Sequence, residues 1–293
     1  MVSSSEAITS KNSTFTADLL NQTLQGAKSK YLDSVSLSTS SLQDGGTAST
    51  VANELGLINR ITMSVAGTVE IDLNYTDLYA LNQLWLSNQT LTKTGAGDNQ
   101  QNIISGLQMP LWWPAISNET QISLYYSNIL NADNTTISAT ANYQASIPRN
   151  TALHYTKYQQ NTSGVDSSSL GNWNHDFQAL GNISGIMFNL PTISGGSTLI
   201  ADSTLQQIGI EIDGINNVLL YDVNELPSLT NTYGGQLNTA LEDSPGDASI
   251  IDNYRWLPIQ EHIPRNSWVK ITGMAGVNAE TVSDIVIQNI PIT

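Results

Sequence analysis

A chain of 293 residues has room for one large β domain or two smaller ones, and a hydrophobic share of 40% is enough for a packed core, which excludes a disordered chain. Charged residues make up only 12%, and the formal net charge of −15 excludes non-specific nucleic-acid binding, which needs Lys and Arg against phosphate. Cysteine is absent, so neither disulfides nor a thiolate metal site holds the fold.

The start, MVSSSEAITSKNS, lacks the basic region and apolar core of a secretory signal. No apolar run approaches the roughly 20 residues that span a bilayer. From Phe15 to Leu32 the apolar positions Phe15, Leu19, Leu20, Leu24, Ala27, Tyr31 and Leu32 recur at helical spacing. Thr16 is placed to cap this helix, Asp18 stands in its first turn, and Lys28 and Lys30 lie near its end, as the helix dipole prefers. With Lys11 this arm carries half of the lysines, and it either packs on the main body or reaches a neighbouring subunit or an anionic surface such as lipid or genome. The stretch SVSLSTSSLQDGGTAST, from Ser34, reads as a linker.

Beyond Leu57 the period is mostly two. Ile61, Met63 and Val65 alternate with polar residues, as do Val69, Ile71 and Leu73 across Ala66-Gly67. Further strands are expected at Leu81–Leu86, Ile122–Tyr126, Ile137–Tyr143, Ala152–Tyr158, Ile183–Leu190, Gln207–Ile212, Asn217–Tyr221, Trp268–Met274 and Asp284–Ile290. Turn clusters such as Gly195-Gly196 and Ser244-Pro245-Gly246-Asp247 separate them. Many short strands with polar turns and little helix predict a sandwich, a barrel or a jelly roll.

Two words recur. Ile-Pro-Arg-Asn stands at Ile147 and again at Ile263, each time ahead of an alternating run in which Leu153 matches Val269 and Tyr155 matches Ile271. Upstream, LNQLWLSN from Leu81 matches QIGIEIDG from Gln207, with Leu84 on Ile210 and Leu86 on Ile212. Two matches in the same order predict an internal duplication with loops of unequal length. The alternative is coincidence among strands that draw on the same few residues.

Two tandem β units behind an N-terminal arm resemble the double jelly-roll major capsid proteins of tailless icosahedral viruses, many of which enclose a membrane. The stretch IGIEIDGINNVLLYDVNELPSLTNTYGG, from Ile208, also looks like one in that family. A strand ends in an Asp213-Gly214 turn, a short strand follows, and a helical piece, Asn224–Leu229, closes on Tyr233-Gly234. The fold expected is therefore all-β, two jelly-roll sandwiches with an N-terminal helical arm. The arm takes residues 1–55, the first jelly roll 56–175 and the second 176–293.

The resemblance implies a structural protein of the virion's capsid shell that self-assembles, as a homotrimer forming a pseudo-hexagon, into a lattice. Penton or membrane-associated virion proteins are further implied partners, with the arm near an internal membrane and no direct nucleic-acid contact. Arg149 and Arg265, two of only four arginines, would then be subunit contacts, each offering a bidentate fork to carboxylates of a neighbour. The plainer reading has Ile buried, Pro opening the strand and Arg solvated.

Residues for catalysis or cofactors are sparse, and the expectation is no enzyme and no cofactor. No phosphate loop, nucleophile elbow or dinucleotide fingerprint occurs. His154, His175 and His262 are scattered and read as surface or hydrogen-bonded structural residues. His175-Asp176 lacks a second cluster for a metal, and Glu242, Asp243 and Asp247 form an acidic turn with at most weak calcium affinity. Glu70 and Asp72 share one face of a strand, as a glycosidase pair would, but read better as a solvated sheet face. Trp112-Trp113-Pro114 is the one sugar-stacking candidate, so a secreted or cell-surface glycan-binding sandwich is the main alternative. A single jelly-roll capsid protein with insertions is another. Sequons at Asn12, Asn21, Asn74, Asn88, Asn118, Asn134, Asn161 and Asn182 are near the number that this Asn-, Ser- and Thr-rich composition gives by chance.

Overall fold

The computed structural model describes residues 2–8, 14–18, 31–43, 55, 58–65, 68–86, 91–94, 101–114, 120–126, 132–144, 154–164, 172–190, 205–226, 254–259, 263–275 and 281–291. They form two compact units, the first built on residues up to Thr156 and the second on Lys157–Leu237 and Ile251–Pro291. The sequence placed an arm up to residue 55 and a unit boundary after residue 175. In the structure the boundary falls inside a strand at Thr156/Lys157.

The first unit contains β1 (Val2–Ile8), β2 (Thr14–Asp18), β3 (Tyr31–Gln43), β4 (Ile58–Val65), β5 (Thr68–Leu73), helix α1 (Tyr75–Leu84), β6 (Leu91–Thr94), β7 (Gln101–Pro114), β8 (Thr120–Tyr126) and β9 (Ala132–Gln144). Its sheets run β1-β9-β3-β7-β6 and β2-β8-β4-β5. The second contains β10 (His154–Gly164), β11 (Asn172–Gln178), β12 (Asn182–Asn189), β13 (Leu205–Ile212), β14 (Ile215–Asp222), a 3-10 turn (Val223–Glu225), β15 (Tyr254–Pro258), β16 (Trp268–Ala275) and β17 (Thr281–Pro291). Its sheets run β10-β17-β12-β15 and β11-β16-β13-β14. With β6 set aside and strands counted from the start of each unit, both units read 1-8-3-6 and 2-7-4-5. Two four-stranded antiparallel sheets joined in that order make a jelly roll.

The duplication extends to the register. In the first unit the β4–β8 ladder shifts between Ile58 and Arg60, and the β4–β5 ladder shifts between Met63 and Ser64. In the second unit β13 shifts against β16 between Leu205 and Gln207, and against β14 between Ile210 and Ile212. Ile58, Arg60 and Met63 thus correspond to Leu205, Gln207 and Ile210 at one constant separation of 147 (205 − 58, 207 − 60, 210 − 63). The buried sets match too, with Ile58, Ile61 and Met63 in one strand and Leu205, Ile208 and Ile210 in the other. After the second strand of each hairpin come Tyr75 and Leu78 in α1, and Val223 and Leu226 in the 3-10 turn and just after it, all buried.

Both matches read from the sequence are therefore displaced. Leu81–Leu84 closes helix α1 whereas Gln207–Ile212 is strand β13, so the expected strand at Leu81–Leu86 is helix through Leu84. Asn74 caps that helix, its Oδ1 accepting from Asp77 N at 2.6 Å, and the buried side of the helix carries Leu78 and Leu81. The second Ile-Pro-Arg-Asn leads into β16, the seventh strand of its unit, while the first precedes β10, the first strand of the same unit. The first copy itself, within residues 145–153, lies outside the described residues.

The expected helix over Phe15–Leu32 gives way to strand at both ends. Thr14–Asp18 pairs with β8, and Tyr31 onward pairs with β7 and β9. Residues 19–30 lie outside the described residues. The expected linker is strand over Ser34–Gln43, because Val35, Leu37 and Thr39 alternate into the core while Ser36 and Ser38 stay half-buried. Val2–Ile8 of the expected arm is strand β1, paired along β9.

The core of the second unit is continuous. Trp173, Phe177, Ile183, Ile186, Phe188, Ile208, Val269, Ile271 and Val286 are among its members, with the Trp173 and Phe188 rings edge-on at 6.2 Å. Val223 and Leu226 complete it. Strands β13 and β14 join at the Asp213-Gly214 turn that the sequence expected, and residues 227–234 lie outside the described residues.

Candidate functional site

Strand β11 reads Asn-Trp-Asn-His-Asp-Phe-Gln, and its alternation sends Trp173, His175 and Phe177 inward and Asn174, Asp176 and Gln178 outward. His175 is therefore a core residue, with its ring 5.1 Å from that of Phe177. Its Nδ1 shares a 2.7 Å hydrogen bond with Asp284 Oδ2, from β17 in the opposite sheet. Asn161 Nδ2 of β10 donates to Asp284 Oδ1 at 3.1 Å. The pair is nearly sealed, with the side chains 8% and 0% exposed. Burial pushes the Asp284 carboxyl above the ordinary range, and the His175 and Asn161 hydrogen bonds oppose that rise. Four residues further along the same strand, Gln288 Oε1 accepts from Leu180 N at 2.9 Å and its Nε2 donates to Gln159 Oε1 at 3.0 Å. Strand β17 thus carries a polar seam into the core of the sandwich.

The sequence missed Asp284 as a partner because the two residues are 109 positions apart. The signal for His175 was present in the alternation of β11. As expected, His175 is a hydrogen-bonded structural residue. His154 lies in β10 and His262 lies outside the described residues.

The corner at Ile263–Ser267 is tightly built. Ile263 is buried, Pro264 and Arg265 are exposed, and Asn266 takes a left-handed conformation at φ 69°. Asn266 N donates to Ala179 O at 2.7 Å, Ala179 N to Ser267 O at 2.9 Å, and Ser267 N to Pro264 O at 3.2 Å. Next along the chain, Trp268 is 55% exposed. Its N donates to Asp213 Oδ1 at 2.7 Å, and Asp213 N donates to Trp268 O at 2.8 Å. Asp213 and Gly214, with φ 51° and 78°, form the hairpin turn in which glycine meets no steric penalty. Arg265 and Trp268 thus stand on one braced corner, whereas Arg149 lies outside the described residues.

The remaining candidates stand apart from it. Asp72 is held by Arg60 in a bidentate, solvent-exposed pair, with Nε to Oδ1 at 2.8 Å and Nη2 to Oδ2 at 2.6 Å. Trp112 and Trp113 lie in β7, and the acidic residues Glu242, Asp243 and Asp247 lie outside the described residues. Among the described residues no three His, Asp or Glu side chains gather as metal ligands would. Two sequons are structurally committed: Asn74 caps α1 and the Asn161 amide faces Asp284. Asn182 is exposed at the start of β12.

No family model matches the sequence. No curated protein matches it either. Solved structures do match by shape. The STIV MCP aligns at a TM-score of 0.65 with 10% identity, covering 99% of this chain and 97% of that one. The PBCV-1 virus capsid aligns at 0.60 with 8% identity, covering 98% and 94%. The major capsid protein P2 from Bacteriophage PM2 aligns at 0.58 with 11% identity, covering 100% and 98%. Nearly whole-chain coverage on both sides, with the twice-repeated strand order, shows that this chain has the double jelly-roll fold of those capsid proteins.

Proposed function

We propose that this chain is the major capsid protein of an icosahedral virion, and that its function is to assemble with copies of itself into the shell. The observation that carries the reading is the two-way coverage: the chain fills 94% to 98% of three capsid proteins and is itself filled by them to 98% or more. The role is structural rather than catalytic. The building block is a homotrimer in which two similar β units per chain approximate a hexagon. Composition supports such a use, because 12% charge leaves a surface of hydroxyls and amides suited to wet contacts that are individually weak and many times repeated. Penton and membrane-associated proteins of the same virion are the further partners proposed.

Negative-stain microscopy and sedimentation of the purified chain test the reading. Trimers, or shells and sheets of pseudo-hexagons, are expected. A strictly monomeric chain at all concentrations and salts would overturn it, and a monomer that binds a glycan array would replace it with the glycan-binding alternative.

A further inference from the structure

We propose that the braced corner carrying Arg265 and Trp268 is a contact surface for a second copy of this chain, with Trp268 as its apolar anchor and Arg265 as its carboxylate-binding fork. The inference rests on the self-assembling reading above and names a surface that it would use.

Three observations converge on the corner. Strand β16 sends Val269, Ile271 and Gly273 into the core, so Trp268 stands on the outer face and contributes nothing to that cluster. Its indole is among the few large apolar side chains of the described residues that remain exposed, with Val69 and Leu220. A lone exposed apolar residue is ordinary. This one stands three positions from Arg265, which is exposed and has no ion-pair partner among the described residues. Tryptophan and arginine are the side chains most enriched where truncation weakens an interface most.

Rigidity is the second observation. The reciprocal Asp213–Trp268 bonds and the Ala179, Asn266 and Ser267 bonds fix the backbone on both sides of the two side chains. Binding there therefore orders only side chains, and the entropic cost of association is correspondingly small.

Charge selects the occupant. The chain holds 25 acidic against 10 basic residues, so an unpaired guanidinium finds an excess of carboxylates on a copy of itself. Asp176 and Glu225 are exposed examples. In the ladder Lys270 stands opposite Asp176 and Glu211 of the adjoining strands, whereas Arg265 lies in the turn ahead of β16, outside that ladder. A polyanion such as nucleic acid or anionic lipid would meet the same Arg265 against a background of −15 and be repelled.

The test uses full-length chain with Trp268→Ser, Trp268→Phe, Arg265→Ala and the wild type, compared by thermal melting and by sedimentation velocity over a concentration series. All four are expected to melt alike, because neither side chain supports the core. Trp268→Ser and Arg265→Ala are each expected to weaken self-association by about 30-fold, the loss of one hot-spot side chain, and Trp268→Phe by less. If the wild type assembles and Trp268→Ser and Arg265→Ala assemble equally well, the inference is overturned and the capsid reading stands. If the wild type stays monomeric, that reading falls and takes this one with it. A glycan that quenches Trp268 fluorescence while assembly is unaffected by the substitutions would also overturn the inference, assigning the corner to sugar.

Discussion

His175 and Asp284, 109 residues apart in sequence, meet at 2.7 Å across the core of the second jelly roll and tie its two sheets together. Removing one member of such a pair strands the other in an apolar interior. Asp284→Ala is expected to cost about 3–5 kcal/mol of stability, and Asp284→Asn less, since the amide keeps a hydrogen-bonding group beside His175. Chemical denaturation of the purified variants checks the order; equal midpoints for Asp284→Ala and wild type would refute it.

The same pair gives a pH dependence with a definite sign. Burial, the larger influence, raises the folded-state pKa of Asp284 above its unfolded value. Stability from this group is thus fully present below the unfolded pKa and is lost as pH rises through the folded one. The melting temperature is expected to fall as pH climbs out of the acid range through that window, and the slope is expected to flatten in Asp284→Asn. Calorimetry of both proteins over the acid-to-neutral range reads the difference directly.

Phe188 is fully buried and meets Trp173 edge-on at 6.2 Å. Phe188→Ala is expected to cost about 3–5 kcal/mol through lost transfer energy and the cavity left behind. Phe188→Leu should recover much of that. Urea titration followed by tryptophan fluorescence measures both.

Asn82 is fully buried in α1 and acts as a surrogate strand neighbour for β7. Its Nδ2 donates to Gln108 O at 2.9 Å, and its Oδ1 accepts from Gln108 N at 2.8 Å. Asn82→Leu would leave two partly buried backbone groups of Gln108 without this partner, at about 1 kcal/mol for each. Hydrogen exchange at the Gln108 amide should accelerate sharply; unchanged protection there would show that another group had taken over.

Arg60 and Asp72 make the opposite case. Their bidentate geometry is good, but the side chains are 53% and 45% exposed. Arg60→Ala is expected to cost no more than about 1 kcal/mol, and less at high salt. A larger loss in a melt at high salt would mean that Arg60 does more than pair with Asp72.

The general plan was legible because alternation is a direct consequence of strand geometry. Ile61, Met63, Ile208, Ile210, Val269 and Ile271 were all read in phase and are all buried. Three things were read differently from the sequence. The first strands carry serine between their inward residues, so Val35, Leu37 and Thr39 looked like linker although their period was already two. Helix α1 is buried almost throughout, so it shows little amphipathic contrast, and its best signal was the cap at Asn74 rather than its apolar spacing. The duplication was sought in identical letters, but what repeats is the position of the ladder irregularities at Ile58, Met63, Leu205 and Ile210, which constrain backbone and burial without fixing residue identity. The Arg265 corner was legible as a turn. Its bracing by Asp213 and Ala179 was not, because both come from distant parts of the chain.

The strand order also sets when this protein can become itself during synthesis. In each unit the last strand made lies inside a sheet, β9 between β1 and β3, and β17 between β10 and β12. Neither sandwich can zip until its final strand has left the ribosome, and the earliest strands must wait, unpaired, for partners more than a hundred residues downstream, as Val2 waits for Ala141 and Asn172 for Met274. The serine-rich script of VSSSEAI suits such a delay, since a waiting strand with little apolar surface is slow to aggregate. A chain cut short before β17 keeps the strands of the β11-β16-β13-β14 sheet but lacks the strand that joins β10 to β12 and closes the other face of the core. Only completed polypeptides reach a folded second unit, so prematurely terminated copies exclude themselves from whatever the finished ones build.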